Sequence, residues 1–210
     1  MTSSSERSPR GLPRLHLVTD AATVARPGFL AGAKRALGAG GVNVALHLRA
    51  PGTSARILRE IGGRVAALCA ETGALLVVND RVDVALAIGA GGVQLGRGSF
   101  DVPDARRLLG PGPLIGVSVH PGEPVDEAAD FALAGTLFAT ASHPGRAGSG
   151  TAWLGPLVAR GLPVIGIGGI TPERVPAVLE AGAYGVAVVR AVWSARDPGA
   201  AVTEILNALG

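Results

Sequence analysis

The sequence predicts a single-domain α/β fold, a (β/α)8 TIM barrel, on three observations. Eight short apolar runs alternate with amphipathic stretches from Arg14 to the C-terminus, with no pause to mark a domain boundary. Hydrophobic residues make up 48% of the 210-residue chain but aromatics only 3%, so the core is built from Ala, Val, Leu and Ile, as suits strands buried on both faces. Polar residues gather at one end of the runs, the end where a parallel barrel keeps its chemistry. An open doubly wound sheet is the rival arrangement.

The elements come in order along the chain. Residues 1–13 open MTSSSERSPRG, lack the apolar centre of a secretory signal and are expected as a disordered tail ahead of a barrel over 14–210. Strands are expected at Leu15–Val18, Val42–Leu48, Leu75–Val78, Gly92–Leu95, Leu114–Val119, Thr136–Phe138, Val164–Ile167 and Gly185–Val189, each followed by a helix or helical turn. After the second strand, Ile57, Ile61, Val65 and Leu68 recur at helical spacing. After the fourth, a short helix is expected near Pro103–Leu109. After the seventh, Thr171 is a suitable N-cap, Pro172 fits the first helical position, and Val175, Val178 and Leu179 are expected to face inward. Glycines at Gly73, Gly91 and Gly182 close helices ahead of the next strand.

Composition excludes several classes. The net charge is +3 and the basic residues are scattered without interleaved aromatics, which argues against nucleic-acid binding. Lys34, the only lysine, falls in a surface helix and is poorly placed for a Schiff base. Cys69 is the only cysteine and reads as a small buried residue, so a disulfide or a cysteine-based metal framework is excluded. No apolar run reaches the roughly 18 residues that span a bilayer, and a cytoplasmic protein is expected.

The residues at the end of each run define a candidate site. The second run leads to Arg49, the third to Asn79 and Asp80, and the fourth carries Gln94 and leads to Ser99. The fifth ends in Ser118 and His120, the sixth leads to Thr140 and His143, the seventh to Gly168-Gly169, and the eighth ends in Val189-Arg190. At Gly168-Gly169 the backbone amides carry no Cβ, and a helix start lies close by, as a phosphate requires; a tight strand-to-helix turn is the alternative. His120 has the chemistry of a general acid or base, or is a hydrogen-bonded histidine at a strand end. Asp80 is a candidate Mg²⁺ ligand without a second carboxylate, and with Asn79 reads equally as a helix cap. His16 reads as packed.

NDRVDVALAIGAGGVQLG, IGVSVH, LFATASH, VIGIGGITPERV and AGAYGVAVV, in that order, resemble the thiamine phosphate synthase/TenI superfamily from Leu15 to the C-terminus. The resemblance implies a (β/α)8 barrel of thiamine biosynthesis, in which a homodimer is common. Two activities occur in it. The synthase joins a pyrimidine diphosphate to a thiazole phosphate with Mg²⁺ and basic residues on the diphosphate. Thiazole tautomerases of the TenI branch aromatise a carboxythiazole phosphate by proton transfer and require no cofactor.

Departures from the synthase pattern point to the TenI branch. The synthase's Q-L-R-E-K is His47, Leu48, Arg49, Ala50 and Pro51 here; its H-L-G-Q-x-D is QLGRGS, with Ser99 in place of the aspartate; its P-T-x-T-K ends in His143. One carboxylate and two lysines are lost, which weakens support for a diphosphate leaving group. The expectation is therefore a tautomerase-like isomerase with His120 as the proton carrier. In it Gly168, Gly169, Val189 and Arg190 hold the phosphate of a small phosphorylated thiazole, with Arg49, Asn79, Gln94, Ser118, Thr140 and His143 around the rest. The alternatives are a divergent synthase, which would call for Mg²⁺ at Asp80, and a non-catalytic binding homologue.

Overall fold

The computed structural model describes residues 11–140 and 147–210. Eight parallel strands close into a barrel in sequence order: β1 (Leu15–Val18), β2 (Val44–Leu48), β3 (Leu75–Asn79), β4 (Gly92–Leu95), β5 (Leu114–Val119), β6 (Phe131–Gly135), β7 (Val164–Ile167) and β8 (Gly185–Val188), with β8 pairing back to β1. The helices are α1 (Ala21–Val24), α2 (Phe29–Gly40), α3 (Ala55–Thr72), α4 (Val82–Ile88), α5 (Val102–Leu109), α6 (Leu154–Val158), α7 (Val175–Glu180), α8 (Arg190–Trp193) and α9 (Pro198–Leu209). Of the described residues, no helix is long and apolar enough to cross a membrane.

Alternation along each strand sorts the core into two parts. Leu15, Leu17, Leu46, Leu48, Val78, Val93 and Ile115 point outward into the large cluster under the helices. Val18, Phe131, Leu133, Ile165 and Ala187 form a smaller cluster inside the barrel. Strand parity puts His16, His47, Asn79, Gln94 and Ser118 on the inward side too. The inward polar side chains therefore all lie on β1–β5, whereas β6–β8 turn only apolar ones into the lumen. His16, His47 and Gln94 have no exposed surface.

Three expectations are corrected. The sixth strand is Phe131–Gly135, not Thr136–Phe138. Asp130 fixes its start, accepting from Ile115 N at 2.7 Å and from Arg106 at 2.5 Å. Thr136–Phe138 follows the strand as irregular backbone, with Leu137 N and Phe138 N donating to the carbonyls of Ile167 and Gly168. No helix follows β5; residues 120–130 are turns, bends and irregular backbone.

On α3 the buried stripe is Leu58, Gly62, Val65 and Cys69, one position round from the expected one, and Ile57 is exposed. A Cβ at Gly62 would come within 2.8 Å of Ile88, so the glycine is the contact point between α3 and α4. Burial pushes the Cys69 thiol up to about 12. Ahead of β1, Leu12 and Pro13 are buried, and the Tyr184 hydroxyl donates to Leu12 O.

Candidate functional site

The loops after the strands gather the candidate side chains at the C-terminal rim. Thr19, directly after β1, fixes the backbone beyond β2. Its hydroxyl donates to Arg49 O at 2.8 Å and accepts from Arg49 N at 2.9 Å. Arg49 is exposed and shares a cleft of about 190 Å³ with Pro51, Asn79, Asp80 and Arg81. A second, shallower depression joins it at Asp80 and Arg81 and is lined further by Arg97, Ser99 and Phe100. Thr19 lies outside the motifs and was not legible as a site residue.

Asp80 adopts a positive φ of 62°, the left-handed conformation that Asp tolerates better than most residues. Its Oδ1 accepts from Gly96 N at 3.0 Å and from the Ser99 hydroxyl. Mg²⁺ takes six oxygen ligands in octahedral geometry. One carboxylate, already bonded to an N–H and an O–H, does not fit a resident Mg²⁺ site, and no group of three or more His, Cys, Asp or Glu able to hold a metal occurs among the described residues. We predict that Mg²⁺ titrated into the unliganded protein gives no saturable heat at roughly millimolar concentrations, whereas Ser99→Asp, which sets a second carboxylate against Asp80, does. Equal isotherms for the two proteins would refute this account of Asp80.

His120 leaves β5 half-exposed, with Nδ1 2.9 Å from Glu123 Oε2, which also accepts from His120 N at 3.1 Å. The other Glu123 oxygen accepts from Arg97. Although desolvation opposes it, the bonds from His120 and Arg97 hold the Glu123 carboxyl below its usual range. Glu123 thereby fixes the His120 proton on Nδ1. Motif comparison missed Glu123 because it lies in the turn after β5; its spacing of three from His120 was the available signal.

Deeper in the lumen, Gln94 Nε2 donates to Ser118 Oγ at 3.1 Å. Gly116 makes room for the Gln94 side chain, since a Cβ there would lie 2.4 Å from Gln94 Oε1 and 2.2 Å from Phe131. Across the mouth, Gly168 and Gly169 have φ of 107° and 62°. Val189 is half-buried, and Arg190 is exposed at the start of α8. Thr140 is half-buried after β6, while His143 falls outside the described residues.

The structure thus joins Arg49, Asn79 and Asp80 in one cleft, Gln94 to Ser118, and His120 to Glu123 and Arg97. His16, expected to be packed, is packed, with Nδ1 2.7 Å from His47 Nε2.

A closed barrel with its polar side chains gathered at the C-terminal rim is the architecture of a (β/α)8 enzyme. The chain matches the thiamine monophosphate synthase family model over residues 15–192 and belongs to the thiamine phosphate synthase/TenI superfamily. It is 46% identical to the thiamine-phosphate synthase of Laribacter hongkongensis, covering 81% of this chain and 82% of that one. It is 47% identical to a thiamine biosynthesis bifunctional protein ThiM/ThiE of Symbiobacterium thermophilum over 70% of this chain, a match spanning only 32% of that longer protein. Among solved structures, the thiamine phosphate pyrophosphorylase from Pyrococcus furiosus superposes with a TM-score of 0.80 at 33% identity, covering 95% of this chain and 96% of that one.

These likenesses overturn the expectation of a TenI-type isomerase. The lost carboxylate and lysines occupy three motif positions, whereas likeness to proteins named as synthases runs through most of the barrel. The rim also carries positive charge apart from the lost lysines, since Arg49, Arg81 and Arg97 all line its clefts.

Proposed function

We propose that the chain is a thiamine-phosphate synthase, coupling hydroxymethylpyrimidine diphosphate to thiazole phosphate. The thiazole nitrogen forms a bond to the pyrimidine methylene carbon as the carbon–oxygen bond to diphosphate breaks, and diphosphate leaves with the electron pair. The observation that carries the reading is the 46% identity to a protein of that name over 81% of the chain.

The rim supplies the groups the reaction needs. Diphosphate leaves with several negative charges, and preformed cations stabilise that charge best where water is partly excluded. Arg49 and Arg81 line one cleft and Arg97 the adjoining one. Arg81 is held by Asp83 at 2.8 Å, and Arg97 by Glu123. His120, with Nδ1 turned to Glu123, keeps Nε2 available to the substrate. Gly168, Gly169, Val189 and Arg190 are assigned to the thiazole phosphate, where glycine amides and a basic side chain suit an anion. The residues present do not form a resident Mg²⁺ site, and the arginines are the cations the chain itself offers the diphosphate.

The test supplies both substrates to the purified chain and follows thiamine phosphate by chromatography. Product formation above the protein-free rate is expected. No product, together with a rise in melting temperature on adding thiazole phosphate alone, would overturn the reading in favour of a ligand-binding homologue.

A further inference from the structure

The inward positions of β1, β2 and β3 carry His16, His47 and Asn79 in succession from the base of the barrel to its rim. Where their protons sit is decided by one fixed acceptor. His16 Nε2 lies 2.9 Å from the carbonyl oxygen of Pro13. A carbonyl only accepts, so Nε2 bears the proton. Burial lowers the His16 pKa to about 4, so the ring is neutral near pH 7 and its Nδ1 is bare. His47 Nε2, 2.7 Å from that bare nitrogen, must donate to it. Burial first, and His16 second, lower the His47 pKa as well, so this ring is also neutral and its Nδ1 is a lone pair.

Asn79 lies against His47 on the rim side, close enough to act on its titration. Yet His47 Nδ1 and Asn79 Oδ1 are both buried without a hydrogen-bond partner. Two acceptors cannot bond each other. Half a turn of the carboxamide exchanges its oxygen and nitrogen while keeping its shape, and gives His47 Nδ1 the N–H it lacks.

We infer that the His16–His47 pair positions Asn79, drawing its NH2 inward and turning its carbonyl to the cleft shared with Arg49 and Asp80. His16 and His47 are positioning residues; Asn79 is the group that meets a ligand. With its carbonyl outward it takes an N–H or O–H donor and rejects a phosphate oxygen. Its neighbour in register, Gln94, has the same polarity: Nε2 goes to Ser118, and the buried Oε1 has no partner. Which donor Asn79 meets rests on the proposed synthase reading; the proton arrangement does not.

Long-range proton–nitrogen correlation NMR on the nitrogen-labelled full chain at neutral pH reads the four histidine rings, assigned by the signals lost in His16→Gln and His47→Gln. Both buried rings are expected as neutral Nε2–H tautomers, and a proton on His47 Nδ1 would overturn the inference. Asn79→Asp presents only acceptors to His47, so it should move a proton onto His47 Nδ1; an unchanged spectrum would mean that the carbonyl already faced the ring. In binding, Asn79→Ala should leave the affinity for inorganic diphosphate within about twofold, whereas a loss of roughly tenfold or more would place the amide NH2 on the anion and refute the assignment. Wild-type protein that binds no diphosphate would count against the synthase reading and leave the ring protons to decide this one.

Discussion

Gly168→Ala is expected to destabilise the protein by about 2–5 kcal/mol and to lower coupling activity by roughly two orders of magnitude. Two costs combine. At φ 107° a residue with a Cβ is strained, a cost of order 1–3 kcal/mol. The added Cβ would also stand 2.4 Å from Thr136 Cγ2, 2.9 Å from Thr136 Cα and 3.0 Å from Leu137 N. Two of those atoms are backbone, in a segment held on both sides. Leu137 N and Phe138 N donate to the carbonyls of Ile167 and Gly168, while Ser149 N and Oγ donate to Thr136 O.

The methyl group must therefore push the loop after β6 off the end of β7, moving the amides assigned to the thiazole phosphate. Thermal melting should show a drop of roughly 5–15 °C for a chain of this length. Gly155→Ala is the control: nothing lies within 4 Å of its Cβ position, and it should change stability by no more than about 0.5 kcal/mol. A Gly168→Ala protein that melts with the wild type would show that the turn yields and that the loop does not depend on it.

The same glycines show how far sequence reasoning reached. Gly168-Gly169 was legible as bare backbone at a strand end, because only glycine both frees φ and removes the Cβ. That the close neighbour would be the loop after β6 was not, since the sixth strand was placed five residues late. Phe131–Gly135 contains two alanines and follows an acidic, alanine-containing stretch, so local preference gave no strand signal. Pairing with β5 and β7 makes it one.

The polar rim was legible because strand ends in a barrel are fixed once the runs are counted. Arg49, Asn79, Asp80 and His120 all fall there. The links among them were not legible. Thr19 with Arg49, Glu123 with His120 and Ser99 with Asp80 join different loops or lie outside the motifs. Distinguishing synthase from isomerase failed for a related reason: side chains missing from motif positions were visible, but Arg81 and Arg97, brought alongside Arg49 by folding, were not.

Acid should unfold this protein earlier than its surface charges require. In the unfolded chain His16 titrates near 6.5; buried in the barrel it is lowered to about 4 by loss of hydration, against the opposing pull of the Pro13 carbonyl. Between those values the unfolded state binds the extra proton, so stability present above about pH 6.5 is lost as the pH falls toward 4. A separation of that size corresponds to about 3 kcal/mol for one group, of which about 2 kcal/mol is gone by pH 5. His47 shifts in the same direction, but the two rings share a hydrogen bond, so their losses do not simply add. The carboxylates held below their usual range, Asp20, Asp83, Glu123 and Glu173, lose their small contributions at lower pH. Urea unfolding at pH 7, 6 and 5 isolates the histidines. The wild type should weaken steeply over this range, and His16→Gln/His47→Gln, which keeps polar side chains of similar length, should flatten the profile even if it starts less stable. Parallel curves for the two proteins would mean that the rings stay hydrated and that the polar half of the lumen is wet from base to rim.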